Sequence, residues 1–82
     1  MNVLDTAGHI GGNLKLNTGI TIKAWYKNDF NILVGDITLQ NSWKNGYLLE
    51  PGESIFIEVD NLNKVYVKAD GSGDNDCYYI GS

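Results

Sequence analysis

Residues 20–25 read Ile20-Thr21-Ile22-Lys23-Ala24-Trp25, with an aliphatic side chain at every second position and a polar or aromatic one between. A period of two is typical of a β-strand that buries one face. Two later segments, Ile55–Val59 and Val65–Ala69, repeat the pattern. The sequence therefore predicts at least three half-buried strands.

Shorter segments rich in β-branched or aromatic residues add further predicted strands. Turn-forming residues separate these segments, and Pro51-Gly52 suits the two central positions of a type II turn. Apolar residues never follow a helical period for three turns, so the one helical feature expected is a short turn at Asp60–Asn63. The shorter predicted strands are Asn13–Asn17, Phe30–Val34, Asp36–Leu39, Tyr47–Leu49 and Cys77–Ile80.

Strands separated by turns every 8 to 12 residues favour an antiparallel architecture over βαβ units. We expect an all-β domain at residues 13–82, a small antiparallel β-sandwich or barrel of about seven or eight short strands. Residues 1–12 show neither the period of two typical of strands nor a helical period, and we interpret them as an N-terminal arm or loop. The predicted core consists of Ile20, Ile22, Ile32, Val34, Ile55, Ile57, Val59, Val65 and Val67.

A chain of 82 residues forms one domain with a marginal core, since folding at this size buries only about 60% of the surface of the unfolded chain. Small domains usually gain stability from disulfides, a metal or association. Cys77 is the single cysteine, and with His9 it provides too few ligands for structural zinc. Oligomerisation or docking onto a larger body is therefore expected.

The charge balance argues against nucleic acid as a partner. Six lysines, no arginine and ten carboxylates give a net charge of −4, which would repel a phosphate backbone. The N-terminus lacks a basic and apolar leader pattern, and no apolar run approaches the ~18 residues of a membrane span. We expect a protein made and kept soluble in a cytoplasm, with no membrane contact.

The sequence predicts no catalytic residues and no cofactor. Nucleophilic catalysis needs a Ser, Thr or Cys together with a His and an orienting carboxylate. The single histidine, His9, lies in a Gly-rich segment without strand or helix pattern. Cys77 precedes two tyrosines in a predicted strand, where a buried and inert thiol is expected.

One acidic segment resembles the start of a calcium loop. Oxygen-bearing side chains alternate at Asp70, Ser72, Asp74 and Asp76. Glycine is not at the sixth loop position, and Gly81 stands where the twelfth position wants a bidentate Glu. The alternative interpretation is a polar connection between two strands.

Five aromatic residues are candidates for a subunit interface, namely Trp25, Trp43, Tyr47, Phe56 and Tyr66. If the aliphatic faces of the strands point inward, Trp25, Phe56 and Tyr66 point outward among polar residues, as interface hot spots do. The alternative is that both faces are partly covered and these rings belong to the core. Trp25, Trp43 and Tyr47 could instead stack on sugar rings, which makes carbohydrate binding the second functional hypothesis.

From Asn31 to Tyr79 the chain resembles small β-structured virion proteins of tailed bacteriophages. The similarity lies in the strand Ile32-Leu33-Val34-Gly35, the turn Pro51-Gly52-Glu53-Ser54, the corner Asp60-Asn61-Leu62 and the segment Val65-Tyr66-Val67-Lys68-Ala69-Asp70-Gly71. Ile20–Tyr26 is similar to the opening strand of that family, and residues 1–12 have no counterpart. The resemblance implies a capsid decoration, cement or head-fibre protein on the virion exterior, without catalytic residues.

The expected partners are the major capsid protein or other virion subunits, together with further copies of the chain. Symmetric clustering would stabilise a marginal domain and bury its exposed rings, and a homotrimer is the preferred state. Residues 1–12 could add a strand to a neighbouring subunit.

Overall fold

The computed structural model describes residues 2–81, except for the side chain of Trp43, and the described chain is almost entirely β. The all-β prediction of about seven or eight strands is therefore confirmed, since the structure has seven. Three short 3₁₀-helices, η1 to η3, cover Ile37–Gln40, Trp43–Asn45 and Leu62–Lys64. The strands are β1 (Gly8–His9), β2 (Ile20–Ala24), β3 (Ile32–Gly35), β4 (Tyr47–Leu49), β5 (Ser54–Ile57), β6 (Tyr66–Ala69) and β7 (Cys77–Gly81).

The strands form two antiparallel sheets in a sandwich-like arrangement. One sheet has four strands in the order β1-β6-β3-β4, and the other has three in the order β5-β2-β7. In the three-stranded sheet Ile22 pairs with Ile55 on one side and with Tyr79 on the other. In the four-stranded sheet Val34 pairs with Tyr47 and Val67.

The inward faces of the two sheets form the core. Six of the nine predicted core residues, including Ile20 and Val34, are buried. Ile55, Ile57 and Val59 pack against this core but are only partly buried. The first two belong to β5, which lies at the edge of its sheet, and Val59 follows that strand. Each fully buried aliphatic side chain contributes about 1.5–3 kcal/mol to folding. Residues outside the prediction also join the core, namely Val3, Ile10, Leu16, Ala24, Leu49, Leu62, Ala69 and Cys77.

The turn before β5 has the predicted type II features. Glu53 donates its backbone N–H to the Glu50 carbonyl oxygen at 2.9 Å, which closes the turn. Gly52 has a φ of 92°, the left-handed value that the third position of this turn requires. The Glu53 carboxylate also accepts the Glu50 N–H at 2.7 Å.

The predicted strand at Asp36–Leu39 is wrong, because this segment enters helix η1. The Asp36 side chain accepts the N–H of Thr38 at 2.9 Å and so caps the helix. A short acidic side chain that bonds to the backbone two residues later favours such a cap over strand pairing. Leu39 then becomes buried, with 1% of its surface exposed.

The predicted strand at Asn13–Asn17 is also wrong, since only an isolated bridge joins Lys15 to Asn61. The Asn61 side chain accepts the Leu14 N–H and donates to the Asn13 side chain. These side-chain hydrogen bonds take the place of the regular backbone hydrogen bonds of a strand pair. The predicted helical turn near Asp60–Asn63 is found at η3, where Asn61 is the cap residue.

Residues 2–12 lie against the sandwich, and Met1 is outside the described residues. Val3 and Ile10 are buried in the core. The Ala69 N–H donates to the Leu4 carbonyl at 2.8 Å, and the Ile10 N–H donates to the Val65 carbonyl at 3.0 Å. Strand β1 extends the four-stranded sheet by pairing with β6.

Candidate functional site

The outer face of the three-stranded sheet carries two rows of side chains across its strands. The register aligns Phe56 of β5, Thr21 of β2 and Ile80 of β7 in one row. Ser54, Lys23 and Tyr78 form the second row. We call these six residues the outer face; they arise because β2, β5 and β7 each turn alternate side chains away from the core.

Three large apolar or aromatic side chains of the outer face are open to solvent. Phe56 is 54% exposed, Tyr78 50% and Ile80 79%. Lys23 is the single charged residue among the six. Aromatic groups with few charges around them are characteristic of the centre of protein interfaces.

The corresponding face of the four-stranded sheet is partly covered. Helix η1 lies over it, and Leu39 of this helix clusters with Leu33 and Tyr66. Ala7 packs against the same cluster. The difference between the two sheets makes the three-stranded one the better candidate for contact with another protein.

Tyr66 belongs to the outward set of β6, as expected, but it is covered by other parts of this chain and is not open to a partner. Its side chain faces the outer side of the four-stranded sheet, but η1 and the segment before β1 leave only 6% of it exposed. The Tyr66 hydroxyl lies 3.1 Å from Nε2 of His9, and the two ring centroids are 4.3 Å apart. His9 Nδ1 lies 2.9 Å from the Asn63 carbonyl oxygen, so Nδ1 carries the donated proton and Nε2 can accept from the tyrosine.

The other aromatic candidates lie at different places. Trp25 follows β2 and is partly buried, with its ring edge-on to Tyr26 at 5.8 Å. Tyr47 begins β4 in the other sheet and is 65% exposed. The side chain of Trp43 is outside the described residues. Of the five predicted interface residues, Phe56 is the one that the structure places on the outer face.

The acidic segment proposed for calcium forms an ordered polar loop. Asp70 accepts from the backbone and the side chain of Asn31, and Ser72 donates to the Asp5 carboxylate at 3.1 Å. Asp74 and Asp76 contribute backbone N–H groups, to the side chains of Asp29 and Asn28 respectively. Within residues 2–81, no three His, Cys, Asp or Glu side chains are grouped to hold a metal ion. These contacts favour the polar-connection interpretation.

Two buried asparagines hold this loop to the connection between β2 and β3. Asn75 is fully buried; its Oδ1 accepts the Phe30 N–H at 2.9 Å and its Nδ2 donates to the Gly71 carbonyl. Asn28 donates to the Asp76 carbonyl and accepts the Asp76 N–H. The loop therefore has a structural role, because these hydrogen bonds connect it to the segment between β2 and β3.

A shallow groove of about 530 Å³ lies beside the β3–β6 pair on the four-stranded sheet. Leu33 and Leu48 form apolar walls, and Lys68, Asp5 and Asp70 supply charges. Both carboxylates already accept hydrogen bonds from Ser72 and Asn31. The groove residues include none of the aromatic candidates.

The two side chains considered for catalysis are placed apart from each other. Cys77 is fully buried in the core, and burial raises the pKa of its thiol to about 11. A thiol with such a pKa carries almost no nucleophilic thiolate at neutral pH. His9 contacts Tyr66 and Asn63 on the four-stranded sheet, whereas Cys77 belongs to β7 of the other sheet.

Sequence reasoning missed Tyr78 and Ile80 as members of the outer face. The signal was weak because both alternating sets of β7, Cys77 with Tyr79 and Tyr78 with Ile80, are apolar or aromatic. Alternation assigns residues to opposite faces but does not say which face is covered.

No family model, no curated protein and no solved structure matches this chain. Among residues 2–81 there is no helix of the length and hydropathy needed to cross a membrane.

Proposed function

We propose that this protein is a non-enzymatic structural subunit of a tailed-phage virion that binds the capsid surface as a decoration, cement or head-fibre component. The observation that carries the proposal is the outer face, where Phe56, Tyr78 and Ile80 are exposed around a single charge. The virion setting rests on the resemblance of residues 31–79 to small phage virion proteins. The partners are the major capsid protein or another virion subunit.

Interface energetics support binding through this face. A few aromatic or aliphatic groups that become fully desolvated usually dominate the affinity of an interface. Phe56 and Ile80 are the ends of one row with only Thr21 between them, so a partner can cover both at once. Lys23 sits one row away, where it can pair with an acidic group of the partner.

The test is incorporation into particles of the phage that encodes the chain. Mass spectrometry of banded particles should detect the protein at a fixed ratio to the major capsid protein. Phe56→Lys should reduce incorporation at least about tenfold, because it places a charge in a desolvated contact. The matched control is Ile37→Lys, which adds the same charge at a 59% exposed position on η1 and should incorporate normally.

Absence of the protein from banded particles would contradict the proposal. Equal incorporation of Phe56→Lys and wild type would retain the virion role but exclude the outer face as the attachment surface. We propose a homo-oligomer as the bound form, with the trimer as the state expected from the sequence.

Carbohydrate binding is the second candidate, favoured by the exposed ring of Tyr26 just after β2. Tyr26 is 66% exposed and lies edge-on to Trp25, with the Lys27 ammonium 5.5 Å from the Tyr26 ring centroid. Titration with soluble oligosaccharides, followed by tryptophan fluorescence, should show saturable binding that Tyr26→Ala abolishes. An unchanged signal at millimolar sugar would remove this candidate.

A further inference from the structure

Strand β7 is an edge strand whose main-chain groups can be assigned to one side or the other. The Trp25 N–H donates to the Asp76 carbonyl at 3.0 Å, while the Asp76 N–H donates to the Asn28 side chain at 2.7 Å. The main-chain groups of Trp25 and Asp76 therefore face each other across the two strands. In an antiparallel ladder such pairs alternate with pairs that do not. Tyr78 and Ile80 therefore point their N–H and C=O groups toward β2. Tyr79 and Gly81 point theirs to the open edge.

The open edge of β7 is used only near its beginning by the described chain. Asn2 forms a bridge with Asp76, and the Val3 N–H donates to the Asn75 carbonyl at 2.7 Å. Both of these pairings lie before Tyr79. A stretch with four main-chain groups, two on Tyr79 and two on Gly81, remains available to an added strand.

The side chains of β7 do not protect this edge. Natural edge strands usually carry lysine, proline or an inward charge that discourages pairing with another chain. β7 reads Cys77-Tyr78-Tyr79-Ile80-Gly81 and has neither charge nor proline. Ile80, at 79%, is the most exposed large hydrophobic side chain of the described residues.

We infer that β7 pairs antiparallel with β7 of a second copy of this chain, about a two-fold axis that passes beside Ile80. In this register Ile80 faces its counterpart in a pair without hydrogen bonds. Tyr79 of each copy then exchanges hydrogen bonds with Gly81 of the other. Four hydrogen bonds form, and every open N–H and C=O of Tyr79 and Gly81 is satisfied. The pairing ends before Asp76, so the Asn2 bridge stays in place.

We assign a second copy of this chain to the open edge of β7 because the register matches itself. A two-fold interface requires one patch to match itself, which the Ile80 pair and the Tyr79–Gly81 exchange achieve. The two outer faces become one row of Phe56, Thr21 and Ile80 from each copy across a six-stranded sheet. The two Lys23 residues are then three strand spacings apart across the sheet and four residues apart along it, roughly 20 Å in all, beyond the screening length in physiological salt.

This inference concerns contact between copies and goes beyond the proposed virion role. It assigns a two-fold pair where the sequence led us to expect a trimer. Because a short strand pairing buries less surface than a standard interface, the dimer is expected to dissociate on dilution.

The first experiment measures the mass of the purified full chain by light scattering from about 1 μM to about 1 mM, a range that brackets weak interfaces. Wild type should change from monomer to dimer, and Ile80→Lys should raise the dissociation constant at least about tenfold. Ile37→Lys, with the same added charge, should dimerise like wild type. A wild-type chain that stays monomeric throughout, or an Ile80→Lys variant that dimerises normally, would overturn the inference.

The second experiment tests the register. Cα atoms in a pair without hydrogen bonds lie about 4.5 Å apart, within the range that a disulfide bridges. Ile80→Cys should therefore form a disulfide-linked dimer under mild oxidation, while Ile37→Cys stays mainly unlinked. Equal crosslinking of both variants, or a stable trimer, would contradict two-fold β7 pairing. Such a result would not affect the virion proposal, which the incorporation experiment tests separately.

Discussion

At the scale of single residues, burial decides the chemistry of side chains that the sequence alone leaves ambiguous. Cys77 and Asn75 are both fully buried, although they lie only two positions apart near an exposed loop. Cys77 faces the hydrophobic core, whereas Asn75 satisfies backbone groups of the Phe30 and Gly71 segments. Each placement leads to a measurable property.

We predict that Cys77 is unreactive in the folded protein. With a pKa raised to about 11 by burial, only about one thiol in a thousand is ionised at pH 8, and the sulfur is shielded. A chromogenic disulfide reagent should label less than a few per cent of the native protein in an hour. The same protein unfolded in guanidinium should react fully; rapid stoichiometric labelling of the native state would refute the buried placement.

We predict that Asn75→Ala lowers the free energy of unfolding by about 2–4 kcal/mol. Alanine removes the acceptor for the Phe30 N–H and the donor for the Gly71 carbonyl. Groups left without partners inside the protein are costly. Urea unfolding followed by tryptophan fluorescence gives the value.

The control for this change is Asn63→Ala at an exposed asparagine of η3. It should alter the free energy of unfolding by less than about 0.5 kcal/mol, since no buried group loses a partner. Similar losses for both variants would show that the hydrogen bonds of Asn75 have no special role in stability.

At the scale of elements, caps and turns set where strands stop. Helix η1 replaces a predicted strand because Asp36 binds the backbone and the hydroxyl of Thr38. Gly52 lets the chain reverse before β5 through its positive φ. Local hydrogen bonds of this kind compete with strand pairing over three or four residues.

The cap on η1 predicts an acid-dependent contribution to stability. Hydrogen bonds from the Thr38 side chain and backbone lower the pKa of Asp36 in the folded state. A lowered pKa means that the stabilisation is present above the unfolded value, about pH 4, and is lost as the pH falls through the lower folded value. Asp36→Ala should therefore reduce the Tm at neutral pH and converge with wild type in acid.

Melting curves from about pH 2 to about pH 7 test this prediction. Asp36→Asn keeps a side-chain acceptor without the charge, so it should lose less stability at neutral pH than Asp36→Ala. A constant difference in Tm between wild type and Asp36→Ala over the whole range would contradict the role of the ionised carboxylate.

At the scale of the whole molecule, residues 2–12 belong to the folded body. Val3 and Ile10 enter the core, and β1 extends the four-stranded sheet. Folded domains of this length are stable by roughly 4–12 kcal/mol. Burial of two aliphatic side chains, at about 1.5–3 kcal/mol each, is a large part of that stability.

We predict that deletion of residues 1–12 abolishes cooperative unfolding or lowers the free energy of unfolding by at least about 3 kcal/mol. Calorimetry or urea titration measures the loss. Val3→Ala should cost about 1.5–2.5 kcal/mol, because it removes buried methyl groups. Its exposed neighbour is the control: Leu4 is 63% exposed, so Leu4→Ala should change little. A deletion that melts like wild type would mean that this segment is an arm.

The local patterns of the sequence were sufficient to predict many of the strands and one of the turns of the sandwich. Alternation located β2, β5 and β6 within about two residues, and Pro51-Gly52 marked the turn before β5. These features could be predicted because period-two burial and positive-φ glycine act over a few consecutive residues. Residues 2–12 could not be placed in this way, since their hydrogen bonds go to β6 and to the segment before β7, far along the chain.

The sequence by itself determined that the chain forms alternating strands with one set of side chains inward, and that Phe56 and Tyr66 both belong to the opposite set. Only the tertiary structure decided that Tyr66 is covered by η1 while Phe56 stays open on the outer face. The physical reason is that alternation depends on the backbone of one strand. Coverage of the second face depends on where a distant segment packs.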